Sequence, residues 1–130
     1  MIDDYTDEQL ATGRIAWLST VHPDGSPHTV PVRYVHDGSG FWIASSPTSR
    51  KVTNIQLNDQ VSVAIDGSAA APLVAQARAE VVGDPAQHPD AVTAFARKYG
   101  GFDITAESYA GRPVLVRLTI GRWLLDGSPA

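Results

Sequence analysis

Two Asp-Gly pairs, Asp24-Gly25 and Asp37-Gly38, divide the first third of the chain into pieces that suit hairpins and little else. Glycine takes the positive φ that tight turns need, and aspartate tolerates such turns well. The runs between them are RIAWLSTV at 14–21, HTVPVRYV at 28–35 and GFWIAS at 40–45. All three are rich in β-branched and aromatic residues, so three antiparallel strands in quick succession are expected. Pro31 has no N–H to give a ladder, which places the second strand at an edge, a bulge or a break.

The remainder reads in the same way. Residues 60–66 alternate as a fourth strand, 73–83 form a long fifth, and 113–120 a sixth that continues through Arg122-Trp123. Thr6 with Gln9 resembles a capping box for a short helix at 7–12, closed by Gly13. Pro47 suits the first turn of a helix over 48–57, with Val52 and Ile55 on one face. Pro89-Asp90 opens another, carrying Ala91, Ala94, Phe95 and Tyr99 along one side and stopped by Gly100-Gly101. The loop at 67–72 reads as the freest in the chain, and 102–111 as an irregular connector. Six mostly antiparallel strands with short helices predict one small barrel, since closing a sheet removes its edges.

Composition excludes several functions. A hydrophobic share of 43% marks a globular chain, while a net charge of -4 argues against a nucleic-acid or membrane-surface partner. Without cysteine there is neither disulfide, thiolate metal site nor cysteine nucleophile. The acidic start MIDDYTDEQL is no signal peptide, and no run approaches the ~20 apolar residues of a membrane span, so a cytoplasmic protein is expected. His22, His28 and His36 fall near strand ends, but their spacing matches no metal-ligand pattern, and no metal is expected. G-x-S-x-G is absent, as is a G-x-G-x-x-G after any strand, so neither a serine hydrolase nor a Rossmann nicotinamide site is expected. Trp17, Trp42 and Trp123 read as core or interface aromatics.

One stretch concentrates chemistry. SSPTSRKVTN, residues 45–54, holds Ser45, Ser46, Thr48 and Ser49 beside Arg50, Lys51 and Asn54. A helix N-terminus has free N–H groups and about half a positive charge, so hydroxyls and cations there suit a phosphate. The same residues also serve as an ordinary helix cap followed by solvated basic side chains. Arg33 adds to the first reading, because a strand rarely carries an arginine whose head does not reach water, a partner or an anion.

The order of these segments resembles a known family: strand, Asp-Gly-Ser-Pro-His turn, Pro-Val-Arg-Tyr, Asp-Gly turn, strand, then Ser-Arg-Lys-x-x-Asn-Ile. It is similar to the FMN-binding split-barrel superfamily of pyridoxamine 5'-phosphate oxidase, and within it to actinobacterial flavin/deazaflavin oxidoreductases of the B branch. The resemblance implies a six-stranded antiparallel split β-barrel, mainly β with short helices. It further implies a homodimer with two cofactor sites at the subunit interface. The implied cofactor is the deazaflavin coenzyme F420, with FMN as the alternative. Ser49, Arg50, Lys51 and Asn54 would hold its phosphate, with Ser45 beside them. Pro31, Val32 and Arg33 would run along its ring system, and Gln76 would approach from the partner subunit. The implied reaction is hydride transfer between the reduced deazaflavin and a small conjugated or unsaturated substrate, with no catalytic acid–base pair and His28 as a candidate proton source. A non-catalytic flavin or haem binder is the other class on this scaffold. Departures from the oxidases are the single Arg33 on the second strand and no arginine-rich segment after it, so pyridoxamine phosphate is not the expected substrate.

Overall fold

Both Asp-Gly pairs turn the chain as expected, each by the same device. Asp24 accepts from the Ser26 N–H and hydroxyl at 3.0 and 2.6 Å, and Asp37 accepts from those of Ser39 at 3.3 and 3.2 Å. Gly25 and Gly38 both stand at φ 88°. The computed structural model describes residues 4–65, 72–108 and 111–126. Its strands are β1 (Ala16–Val21), β2 (Pro27–Val32), β3 (Val35–His36), β4 (Gly40–Ser45), β5 (Gln60–Ile65), β6 (Leu73–Gly83) and β7 (Val114–Asp126). The helices are α1 (Asp4–Thr12), α2 (Arg50–Leu57) and α3 (Pro89–Lys98). None of the described helices is long and apolar enough to cross a membrane.

The strand expected over 28–35 is two strands, β2 and β3, which makes seven rather than six. Arg33 and Tyr34 leave the ladder between them. Tyr34 is fully buried, and its N–H is held by the Tyr99 hydroxyl at 3.0 Å instead of by a strand. α1 begins at Asp4, so Thr6 lies inside the helix and does not cap it; α2 begins two residues later than expected. A short 3-10 helix, Pro85–Gln87, was not foreseen; the Asp84 carboxylate caps it by accepting from the Ala86 N–H at 2.9 Å. The loop expected to be freest, 67–72, lies outside the described residues apart from Pro72.

All strand pairs are antiparallel, in the order β2-β1-β5-β6-β7-β4-β3. The two edge strands, β2 and β3, are consecutive in the chain. The link between them spans at most about 11 Å, so the sheet curls until its edges nearly meet. This is a barrel with a split, and Pro31 sits on the edge strand where its missing N–H does no harm.

The interior is filled by inward residues of every long strand, among them Leu18, Ile43, Val63, Leu73 and Leu118, and by Tyr34 and Phe41 in edge-to-face contact at 5.6 Å. Leu10 of α1 closes one end. At Gly40 a β-carbon would strike the Leu118 carbonyl oxygen, so glycine is what lets β4 lie close to β7. Arg117 of β7 grips Asp37 with two bonds of 2.9 Å and stacks 4.7 Å from Trp42, holding the β3–β4 turn down. Outside the barrel, α3 covers β3, β4 and β7 with a second cluster around Phe95, Ile104 and Leu115. Among the described residues the opposite outer face has no such cover. There Pro31, Trp17, Ala64, Val74 and Leu125 line up across five strands, with Trp17 45% and Leu125 49% exposed.

Lys98 ties α1 to α3. Its ammonium lies 3.6 Å from the centre of the Tyr34 ring and donates to the Leu10 carbonyl at 3.2 Å. Burial, reinforced by the charge of Arg14, pushes its pKa down to about 8. The folded state therefore binds fewer protons than the unfolded state from about pH 8 up to the ordinary lysine value of 10.5, and stability rises with pH across that window. Tyr34 and Tyr99, both raised by burial, reverse the slope once unfolded tyrosines ionise near pH 10. Lys51, also lowered by burial, adds to the rise. Urea midpoints for Lys98→Met should thus climb less steeply between about pH 8 and 9.5 than those of the parent; parallel curves would place Lys98 in ordinary solvent.

Candidate functional site

The split opens onto a cleft of about 570 Å³, a volume typical of small-molecule sites. Its position follows from topology. Pro31, Val32 and Arg33 come from the end of β2, Arg14 and Ile15 from just before β1, and Ala44 from β4. Lys51 enters from α2, while Phe95, Tyr99 and Phe102 come from α3 and the turn after it. A smaller hollow of about 340 Å³ shares Ala44 and Phe102 with the cleft and carries Ser45, Ser46, Asp103 and Glu107.

At the start of α2 the local chemistry is unusual. Ser49 occupies the cap position with extended backbone, φ -67° and ψ 154°, but its side chain bonds no helix N–H. Its hydroxyl instead lies 2.8 Å from that of Ser45. Ser46 and Thr48 pair similarly at 3.2 Å. The first residues of the helix are Arg50 and Lys51, with no acidic residue in that turn and no carboxylate paired to either among the described residues. Two cations at the positive end of a helix repel its dipole. The ordinary-cap reading fails on the Ser49 hydroxyl, which does not cap.

Histidines border this end. His22 and His28 meet edge to face with ring centres 5.2 Å apart, but no third ligand joins them among the described residues. His28 Nδ1 is buried without a partner. Desolvation first, then the charges of His22, Lys51 and Arg50, lower its pKa, which favours the neutral imidazole.

The nine residues singled out from sequence are placed unequally. Pro31, Val32, Arg33 and Lys51 line the one cleft, and Ser45, Ser49 and Arg50 adjoin it at the start of α2. Asn54 does not open onto it. Asn54 is 0% exposed, donates its amide to the Thr20 hydroxyl at 3.0 Å and leaves its oxygen without a partner, so it pins α2 to β1. Gln76 stands on the uncovered outer face, beside Gln60, Arg78 and Arg122. Sequence reasoning missed Arg14, Tyr99 and Phe102. The run Lys-Tyr-Gly-Gly-Phe puts two aromatics around a glycine turn, but Tyr99 also fits the apolar side of α3, so the sequence read it as core.

A curled antiparallel sheet whose edges approach each other beside a cleft defines the split β-barrel class. The family model described as pyridoxamine 5'-phosphate oxidase matches residues 2–125, and the chain belongs to that family. Among solved structures, an F420 reductase superposes with a TM-score of 0.76 at 19% identity, covering 94% of this chain and 98% of that one. A haem-storage protein from Vibrio cholerae gives 0.76 at 18%, covering 98% and 96%. A FAD-binding protein from Mesorhizobium loti gives 0.71 at 21%, covering 95% and 92%. At these identities the likeness is one of fold. No curated protein matches the sequence significantly.

The buried Thr20–Asn54 pair yields a clean test of its structural role. Thr20→Val alone should destabilise by about 1–3 kcal/mol, because the Asn54 amide would lose its one partner. Thr20→Val combined with Asn54→Leu removes the whole polar pair and should recover most of that loss, as read from urea midpoints. Additive losses in the double variant would mean the pair is not an isolated unit.

Proposed function

We propose that this protein is an oxidoreductase that binds a flavin-type coenzyme at the seam of the barrel, with coenzyme F420 the first candidate and FMN the alternative. The observation that carries this reading is the uncapped start of α2, where Ser49, Arg50 and Lys51 present hydroxyl, guanidinium and ammonium donors with no carboxylate among the described residues to answer them. A phosphate monoester or diester supplies the missing charge and accepts from the free N–H groups of the first helical turn. The F420 reductase and the FAD-binding protein among the structural neighbours support a flavin-type ligand.

The residues present fit such a group. Ser49, Arg50 and Lys51 would hold its phosphate, Pro31 and Val32 would give its ring an apolar wall, and Ala44 leaves room beside it. The bound coenzyme supplies hydride transfer; the chain supplies binding, orientation and exclusion of water. The unpartnered Nδ1 of His28 stands close enough to Arg50 and Lys51 to feel their charge, so anion binding there would raise its proton affinity. Pyridoxamine phosphate remains an unexpected substrate, as Arg33 is the single arginine or lysine of the segment 27–36.

The partner in this reading is a second copy. The apolar row through Trp17 and Leu125 is flanked by a polar row of Ser19, Ser62, Gln76 and Arg122 on the same face. A C2 homodimer through that face would cover the first row and bring Gln76 toward the partner's cleft. Sedimentation at micromolar concentration should find the dimer; a stable 13.9 kDa monomer would rule it out.

For the coenzyme, Lys51→Ala should weaken binding by roughly tenfold to a hundredfold, the equivalent of one charge-assisted contact of about 1.5–3 kcal/mol. Parent affinity should fall as salt rises. Titrations with F420, FMN and haem side by side, parent against Lys51→Ala, check both points. Tight haem binding indifferent to Lys51, with no response to either flavin, would replace this reading by a non-catalytic haem binder.

A further inference from the structure

A second cationic pole borders the same cleft, with Arg14 and Arg33 in its lining and Pro31 shared with the coenzyme's apolar wall. Three cations surround one ring: Arg14, Lys98 and Arg33 stand 4.6, 5.5 and 5.9 Å from the centre of Tyr99. Arg33 also lies 4.5 Å over Phe102. No carboxylate pairs with any of the three among the described residues, where the ion pairs belong to Arg78, Arg112 and Arg117. Tyr99 is itself fixed, its hydroxyl accepting from the Tyr34 N–H and lying 2.9 Å from the Tyr34 carbonyl. Arg14 is fixed too, donating to the Lys98 carbonyl at 2.7 Å.

Arg14 and Arg33 reach the cleft from the segments beside β1 and β2, whereas Lys51 reaches it from α2. Ring faces relieve part of the repulsion among three cations, yet among the described residues the N–H donors of Arg33 have no acceptor. A guanidinium fork lying on an aromatic plane matches a planar carboxylate, which it can bind in two parallel hydrogen bonds. Ile15 and Pro31 complete a flat apolar wall beside it.

We infer that Arg14 and Arg33, backed by Tyr99 and Phe102, form the substrate anchor, and that the substrate is a planar conjugated molecule bearing a carboxylate. This rests on the coenzyme reading for the word substrate, but the anion site stands on its own geometry. It gives the reaction a directional device: one pole holds the coenzyme's phosphate, the other holds the acceptor by its charge.

The test uses benzoate and benzamide as probes, titrated calorimetrically into the protein saturated with FMN. Benzoate should bind at least roughly tenfold more tightly than benzamide, the value of one lost charge-assisted contact. Arg33→Gln should erase most of that preference, and because Arg33 has no hydrogen bond among the described residues its melting temperature serves as the fold control. Arg14→Gln should act in the same direction, and Arg33→Lys should restore charge but only part of the preference, since an ammonium lacks the fork. Equal binding of the two probes, or expulsion of benzoate by FMN, would overturn the inference; the second result would assign the pole to the coenzyme. Should FMN and F420 both fail to bind while benzoate still binds through Arg33, the coenzyme reading falls and the carboxylate site survives.

Discussion

The two residues between β2 and β3 set the terms for the whole molecule. They join opposite edges of a seven-stranded sheet, so the sheet has no open form compatible with its own covalent chain. Everything that makes the link possible is consequently under constraint. Tyr34 must turn inward, where its ring packs on Phe41 and its hydroxyl donates to the Leu10 carbonyl at 2.8 Å. Arg33 must turn outward, because two successive extended residues point opposite ways. The seam that results is a place where backbone pairing stops, and a cleft forms beside it because no strand fills the space.

Charge distribution then distinguishes the two outer faces and the seam. Three arginines of the barrel exterior are paired: Arg117 with Asp37, Arg112 with Asp84 and Arg78 with Asp59. These pairs are mostly solvent-exposed and contribute little to stability individually. Arg14, Arg33 and Lys51 line the seam cleft with no ion pair among the described residues, in a protein whose net charge is -4, so the cleft is a local positive focus. Such an arrangement opposes folding slightly and favours anionic ligands. It is the pattern expected of a binding site rather than of a core.

The fold was legible in the sequence wherever local chemistry dictated it. β4 and β6 lie where alternation and turn residues put them, and the Gly100-Gly101 stop ends α3 within a residue or two. What misled was a local signal overridden by a distant contact. Val32 through Val35 reads as one continuous strand, but the Tyr99 hydroxyl, sixty-five positions away, takes the Tyr34 N–H out of the ladder. The candidate site was half legible. Short-range clustering reveals Ser49, Arg50 and Lys51. Arg14, Tyr99 and Phe102 come together through tertiary packing alone, which no spacing rule encodes. Asn54 shows the converse limit: its position one turn from Lys51 suggests a shared task, yet its side chain is fully buried and spent on the Thr20 hydroxyl of β1.

β7 has a role that appears only when the molecule is followed in time. It lies between β6 and β4, so it alone hydrogen-bonds the β2-β1-β5-β6 half to the β4-β3 half. On the ribosome, β4 emerges roughly seventy residues before its partner, a delay of about 4–14 seconds at ordinary elongation rates. During that interval the nascent chain carries the unpaired edge of β4, joined in its second half by that of β6, both able to pair with a neighbouring chain. The step that ends this exposure is the pairing of strands far apart in sequence, which is slow by nature. Synthesis of this barrel is thus a race between its own last strand and its neighbours on the polysome.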